Sequence, residues 1–178
     1  MFFAGCAAFA LFFLSDLNDL RLHARGLRWL FPAGFLLLAV SAALQCRGSA
    51  YPPAVRLAGW CLAAGSAGLE LWSLFFALPA RDAYARPGEK RAAVTGGVYA
   101  LCRHPGVLFF AFLMLGLYFA AGLPLLSAAV YTALDVLLVL WEDRRVFPAV
   151  LRGYEAYRAA APFLIPTPAS IRACLQRR

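Results

Sequence analysis

Polar side chains that could do chemistry lie beside the most hydrophobic stretches of this chain. Arg103 and His104 come directly before Pro105, where a long apolar run begins. Glu142 and Asp143 directly follow another apolar run. If these two runs form neighbouring antiparallel helices, a cation, an imidazole and two carboxylates meet at one corner. Tyrosines are close to both groups in the sequence, at Tyr99, Tyr154 and Tyr157.

These residue types match the needs of a zwitterionic cofactor that carries an aromatic base. A helix N-terminus and an arginine favour a carboxylate. Acidic side chains suit an ammonium group or ribose hydroxyls, and aromatic faces suit a sulfonium or an adenine. The simpler interpretation of Glu142 and Asp143 is a solvated helix end beside Arg144 and Arg145. A carboxylate at a helix C-terminus opposes the helix dipole, however, and this favours another reason for its presence.

The composition indicates that these residues belong to a membrane protein. Of the 178 residues, 63% are hydrophobic and 15% are charged, whereas an average soluble domain has roughly 45–50% apolar and about 25% charged residues. A water-soluble core of this size cannot absorb so much apolar surface, so we predict an integral membrane protein with one domain over 1–178. The net charge of +8 falls in predicted loops and tail. Without a basic helix or a stacking platform, it predicts no nucleic-acid partner.

Five apolar runs predict an all-α fold with about five transmembrane helices. The first run, 1–14, is short, and a helix over about 1–20 would just cross a bilayer with tilt. Three spans fall within 1–79, and the last two form a predicted C-terminal helical hairpin. A short interfacial helix is predicted over 146–161, before prolines break the chain into a tail. The remaining runs cover about 28–45, 54–79, 105–121 and 124–141, with a polar connection over 80–97.

The distribution of basic residues predicts the orientation. With the N-terminus outside, Arg47 and Arg56 lie outside, and the other fifteen of the 17 lysines and arginines lie inside. Cytoplasmic loops of membrane proteins carry such an excess of positive charge. We therefore predict a multi-pass protein with its N-terminus outside and its C-terminus in the cytoplasm.

Two ionisable residues fall within predicted spans, where a charge is costly. For Glu70 we favour a structural role as partner of a polar group on another helix, with Gly65 and Gly68 allowing close contact. Asp135 precedes Glu142 by two helical turns, so both point the same way. The five cysteines form no CxxC pair, and the sequence predicts no metal site or disulfide. A reactive thiol at Cys102 is the less favoured alternative to a small buried side chain.

A resemblance to a known family follows from the order of these motifs. TGGVYALCRHPGVL, then an apolar hairpin, then WEDRRVF and GYEAYRAAAPFLIP, resembles the isoprenylcysteine carboxyl methyltransferase family and is similar to the wider phospholipid-methyltransferase-like group. The resemblance covers about 94–166, a cofactor-binding hairpin and C-terminal cap. The first three spans match only as hydrophobic helices. It implies a membrane methyltransferase that encloses S-adenosylmethionine from the cytoplasmic side and admits a lipophilic acceptor sideways between helices. The expected partners are this small-molecule acceptor and membrane lipids.

The resemblance also implies which residues form the site. Arg103 and Glu142 would be catalytic, with Arg103 holding either an anionic acceptor or the carboxylate of the cofactor. The tyrosines near the C-terminus would cover the pocket. The implied cofactor-binding residues are Tyr99, Arg103, His104, Pro105, Glu142, Asp143, Tyr154 and Tyr157.

Departures from the family pattern leave alternatives open. They fit a different acceptor (a carboxylate, a thiol or a lipid-like group) or a catalytically inactive relative. A sterol-reductase-like membrane enzyme that uses a nicotinamide cofactor is a further alternative. The residues that depart from the family pattern are Ala100, Val107, Phe109, Asp143, Phe163 and Leu164.

Overall fold

The structure, a computed structural model, describes residues 1–75 and 90–176. The predicted end of the third apolar run at Pro79 and most of the predicted connection over 80–97 lie outside the described residues. Within them the fold is all-α apart from one pair of two-residue strands. The helices are α1 Phe2–Leu17, α2 Leu30–Gln45, α3 Pro53–Phe75, α4 Pro105–Ala121, α5 Leu125–Trp141, α6 Phe147–Val150, α7 Tyr154–Ala160 and α8 Pro168–Gln176.

Among the residues that the structure describes, three helical stretches are long and apolar enough to cross a membrane. They are Phe2–Leu22, Arg25–Gln45 and Leu125–Val150, and each joins an α-helix to a π-helical or 3₁₀ turn. Helix α4 is equally apolar but only 17 residues long, about 26 Å at the usual helical rise. The predicted all-α fold is therefore confirmed, and a membrane location is supported by the length and composition of three helices.

The bounds of α4 follow from its sequence. Pro105 occupies the first turn, where its missing N–H costs nothing. Gly122 ends the helix in the left-handed conformation, with φ of 74°. Leu123 and Pro124 complete a short turn before α5, which packs against α4.

Helix packing divides the bundle into two pairs with α5 between them. Helix α1 packs on α2 and on α5, while α3 packs along α4, which also contacts α5. At the α3–α4 contact, a Cβ atom on Gly116 would lie 2.7 Å from the backbone nitrogen of Ala63 and 2.8 Å from the carbonyl oxygen of Gly59. The prediction for Gly65 and Gly68 was wrong, because no atom of another helix in the described part of the chain lies within 4 Å of either Cβ position. Gly59, the glycine of α3 at this close contact, precedes Gly65 by roughly two helical turns.

A buried polar network joins the N-terminal end of α1 to α2 and α5. The hydroxyl of Tyr131 accepts a hydrogen bond from Nε2 of Gln45 at 2.8 Å and donates one to the carbonyl oxygen of Phe2 at 3.0 Å. Ser127 donates to Oε1 of Gln45 at 2.6 Å. Because its polar groups are paired, this network holds three helices together without leaving a buried donor unsatisfied.

The C-terminal segment differs from the prediction in two places. The predicted helix over 146–161 is broken by strand β2, Leu151–Arg152, which pairs in parallel with strand β1, Arg91–Ala92. Gly153, with φ of 77°, turns the chain from β2 into α7. The predicted tail after the prolines contains α8, which begins with reciprocal hydrogen bonds between Thr167 and Ser170 at 2.9 and 3.2 Å.

Candidate functional site

The start of α4 and the end of α5 lie side by side, and the predicted polar residues meet there. Helix α5 continues into a π-helical turn, Glu142–Val146. Such turns are frequent at functional sites. This turn brings Asp143 to Arg103 and Glu142 to His104.

Asp143 is the centre of the corner. Its Oδ1 lies 2.7 Å from Nε of Arg103 and accepts a hydrogen bond from the hydroxyl of Tyr154 at 2.6 Å. Nε2 of His104 is 3.4 Å from the same oxygen. Nε of Arg158 is 3.6 Å from Oδ2. The carboxylate thus joins α4, α5 and α7 through one buried group.

Most N–H groups of the Arg103 guanidinium already donate hydrogen bonds within the protein. Besides its two hydrogen bonds to Asp143, its Nη1 donates to the carbonyl oxygens of Arg158 at 3.0 Å and Ala161 at 2.6 Å. Its guanidinium carbon lies 5.6 Å from the ring centre of Phe163. A guanidinium has five N–H groups, so little of this one is left to bind a ligand.

His104 is a buried aromatic wall of the site. Its ring stacks on Phe147 with the centroids 5.6 Å apart and meets Phe163 edge-on at 5.1 Å. Nδ1 lies 4.0 Å from Oε2 of Glu142. Burial lowers the pKa of His104 to about 4, although Asp143 acts in the opposite direction. The imidazole is therefore neutral at pH 7.

Two of the three tyrosines, Tyr99 and Tyr157, hold the surrounding backbone, whereas Tyr154 donates to Asp143. Tyr157 donates its hydroxyl to the carbonyl oxygen of Tyr99 at 2.7 Å, and Tyr99 donates to the carbonyl oxygen of Ser73 at 3.0 Å. Burial raises the pKa of Tyr99 to about 12 and raises the pKa values of Tyr154 and Tyr157 as well. All three phenols are therefore neutral donors at physiological pH.

A cavity of about 690 Å³ opens from this corner and runs between the α1–α2 pair and the α3–α4 pair. Such a volume is in the range of small-molecule sites. Its polar end includes Glu142, His104 and Tyr99. Most of its wall is apolar, and two further carboxylates, Glu70 and Asp135, also line it.

The predicted site residues divide into two sets. Five of them line the cavity, namely Tyr99, Arg103, His104, Pro105 and Glu142. The other three, Asp143, Tyr154 and Tyr157, are not among its lining residues and pack behind it.

Sequence reasoning missed two contributions to this site. Phe147 lines the cavity and stacks on His104, and its position directly after the Glu142–Val146 turn was the available signal. Glu70 was favoured as the partner of a polar group, but its Oε2 is buried and has no hydrogen-bond partner among the described residues.

Cys102 is fully buried, and burial raises its pKa to about 11, so it is not a reactive thiol.

Comparisons with models of protein families, with curated proteins and with solved structures found no match for this chain. A function is therefore inferred from the chemistry and geometry of the cavity.

Proposed function

We propose that this protein is an integral membrane methyltransferase that uses S-adenosylmethionine to methylate a lipophilic acceptor. The observation that carries the proposal is the cavity, in which a polar end at Glu142, His104 and Tyr99 continues into a long apolar wall. A polar cofactor and a lipophilic acceptor can share such a space and meet inside it.

The residues at the polar end fit this cofactor in three respects. Glu142 offers a carboxylate to an ammonium group or to ribose hydroxyls. The neutral ring of His104 and the rings of Phe147 and Tyr99 offer aromatic surface to an adenine or a sulfonium. The first backbone N–H groups of α4, after Pro105, lack acceptors within the helix and suit a carboxylate.

When bound at this polar end, S-adenosylmethionine would supply an electrophilic methyl group on a sulfonium to the lone pair of the acceptor. The protein contributes alignment, which is worth up to about 7–11 kcal/mol when the geometry is ideal. It also excludes water through the apolar wall. Asp143, Tyr154 and Tyr157 act as positioning residues, because they hold Arg103 and the backbone of Tyr99.

The proposal includes five membrane spans, with the N-terminus outside and the site at the cytoplasmic face. Support comes from the ends of the helices. His104 at the start of α4 and Glu142 at the end of α5 lie together, while Arg47 and Arg56 flank the loop between α2 and α3 near the opposite end of α4. These two arginines therefore lie at the end opposite to the site, as the predicted orientation requires.

The proposal is tested by methyl transfer. The purified protein in lipid nanodiscs is incubated with S-adenosylmethionine carrying a tritiated methyl group and with a total lipid extract, and label is counted in the organic phase. We expect transfer that falls at least about tenfold in Glu142→Gln, the size of effect expected for a lost positioning contact. Glu155→Gln, an exposed carboxylate of α7, serves as the matched control. Folded protein that transfers no label to any lipid fraction would contradict the proposal.

A second candidate is a membrane protein that binds a lipophilic molecule in this cavity without reacting with it. The specific observation in its favour is that Arg103, expected to be catalytic, donates four hydrogen bonds to other groups of the protein. In the labelling experiment this candidate predicts ligand binding with no transfer.

A further inference from the structure

Helix α8 exposes large aliphatic side chains at the end of the bundle that contains the site. Ile171 and Leu175 are 44% and 65% exposed, and Ile165, shortly before the helix, is 78% exposed. A single exposed aliphatic side chain needs no explanation, but three in one short segment indicate a surface that contacts something apolar.

The helix has three distinct sides. Ser170 is buried against the rest of the protein. Ile171 and Leu175 are four residues apart and therefore share one exposed side. Arg172 and Gln176 are exposed as well, and the same spacing places them together on a different side. Such a division into an apolar and a polar exposed side is typical of a helix that lies in the plane of a membrane interface.

The position of α8 in the fold agrees with this interpretation. The helix packs on the 3₁₀ turn Gly97–Ala100, which precedes α4. The segment before α8 is attached to the start of α4, because the backbone nitrogen of Arg103 donates to the carbonyl oxygen of Pro162 at 2.9 Å. The apolar helix α4 begins at Pro105. The tail therefore lies at the level where a membrane span passes from the head groups into the hydrocarbon.

Charge and size identify the kind of partner that α8 fits. From Pro162 to Gln176 the chain has one charged residue, Arg172, and this residue is exposed. A guanidinium beside exposed aliphatic side chains suits a bilayer surface with anionic head groups, because it can meet phosphate while its neighbours enter the acyl region. A stable protein interface buries roughly 800 Å² per partner, more than one side of a helix of 9 residues offers.

We propose that α8 is an interfacial anchor, which lies in the membrane surface with Ile171 and Leu175 among the acyl chains and Arg172 at anionic head groups. The inference rests on the membrane location of the bundle and not on methyl transfer. Helix α8 packs on the turn that carries Tyr99, and Tyr99 lines the cavity. The membrane surface thus holds this part of the cavity wall in place.

Photocrosslinking from single positions of the full chain tests the contact with lipid. p-Benzoylphenylalanine is placed at Ile171, at Leu175 or, as the matched control on the polar side, at Gln176, and the protein is reconstituted in nanodiscs of phosphatidylcholine and phosphatidylglycerol. The same probe at Leu137, an exposed side chain in the middle of a candidate span, gives the yield for full lipid contact. Mass spectrometry then identifies the adducts.

We expect lipid adducts from Ile171 and Leu175 at a yield comparable to that from Leu137 and several times that from Gln176. Crosslinks to a second copy of the chain in place of lipid would overturn the inference. So would equal yields at the three positions of α8, or lipid adducts from Leu137 alone.

Hydrogen exchange tests the role of Arg172. The backbone amides of α8 should exchange about fivefold more slowly in nanodiscs that contain phosphatidylglycerol than in pure phosphatidylcholine, the effect of one basic residue near an anionic surface. Arg172→Gln and high salt should each remove most of this difference. Arg47→Gln, which changes an exposed arginine at the opposite end of the bundle, should leave it unchanged. Exchange that is independent of anionic lipid, or a difference of equal size in Arg172→Gln, overturns the assignment of anionic head groups.

These measurements need no cofactor and no acceptor, so their outcome is separate from that of the proposed function. Lipid adducts from Ile171 and Leu175 support the anchor even if S-adenosylhomocysteine does not bind. Protein that binds S-adenosylhomocysteine but gives no lipid adducts at these two positions overturns the anchor and leaves the proposed function intact.

Discussion

The guanidinium of Arg103 and the carboxylate of Asp143 meet 2.7 Å apart, with both side chains almost completely buried. The pair joins the start of α4 to the turn that follows α5, across 40 positions of the chain. Tyr154 adds a hydrogen bond at 2.6 Å to the same carboxylate. The pair is thus the fixed frame of the corner, and Glu142, the neighbour of Asp143, faces the cavity.

Removing the charge of Asp143 should destabilise the protein strongly. In Asp143→Asn the guanidinium of Arg103 stays buried without its anion, and breaking a buried pair in this way costs about 3–5 kcal/mol. Unfolding of the detergent-solubilised protein, followed by circular dichroism, measures the change. Glu155→Gln removes an exposed carboxylate and should shift stability by less than about 0.5 kcal/mol. Equal effects of the two substitutions would show that the pair has no structural role.

Loss of the hydroxyl of Tyr157 should loosen the backbone around Tyr99. In Tyr157→Phe the carbonyl oxygen of Tyr99 loses a donor at 2.7 Å, at a cost of about 1–3 kcal/mol for a buried acceptor left unpaired. Tyr118→Phe removes a hydroxyl from an exposed pair with Tyr51 and should have a much smaller effect. Thermal melts of both variants provide the comparison, and a larger loss in Tyr118→Phe would contradict the role given to Tyr157.

The close contact of α3 and α4 predicts opposite effects at two glycines. Gly116→Ala places a methyl group 2.7 Å from the backbone of Ala63, and such overpacking costs typically about 1–3 kcal/mol. Gly68→Ala meets no atom of another helix within 4 Å among the described residues and should stabilise α3 by up to about 1 kcal/mol through helix propensity. Denaturant titrations of both variants test this contrast. Equal changes in stability would show that α3 and α4 are not in close contact in the membrane.

The buried ring of His104 predicts a pH dependence of stability. Its pKa is about 4 in the folded protein against an ordinary value of 6.5. Between these values the unfolded chain binds a proton that the folded chain does not, so the free energy of unfolding falls as the pH is lowered from 6.5 to 4. The contribution reaches about 3 kcal/mol.

The measurement compares the parent with His104→Gln, whose side chain does not titrate. Melting temperatures over the same pH range should diverge, because the parent should lose more stability than the variant as the pH is lowered. Parallel curves would mean that His104 titrates normally in the folded protein.

Local features predicted the central helices well. Pro105 and the turn at Gly122 bound α4 as expected, since both act through backbone geometry that depends on neighbouring residues alone. The meeting of Arg103 with Asp143 followed from short connection length between two apolar runs. These parts of the fold and of the site need no knowledge of distant contacts.

Other features depend on tertiary contacts that no local pattern encodes. The strand pair of β1 and β2 is two residues long and joins segments 60 positions apart, too short for a periodic signal. The choice of Gly59 and Gly116 over Gly65 and Gly68 depends on which face of α3 meets α4. Likewise, only the folded chain brings the carbonyl oxygens of Arg158 and Ala161 to the N–H donors of Arg103.

The central claim is that the polar end of the cavity binds S-adenosylmethionine, and calorimetric titration with S-adenosylhomocysteine tests it most directly. The purified protein in detergent should show saturable binding that weakens at least about tenfold, or about 1.4 kcal/mol, in Glu142→Gln and is unchanged in Glu155→Gln. Folded protein that gives no saturable heat at millimolar ligand, or equal affinity in Glu142→Gln and the parent, would contradict the assignment of this site.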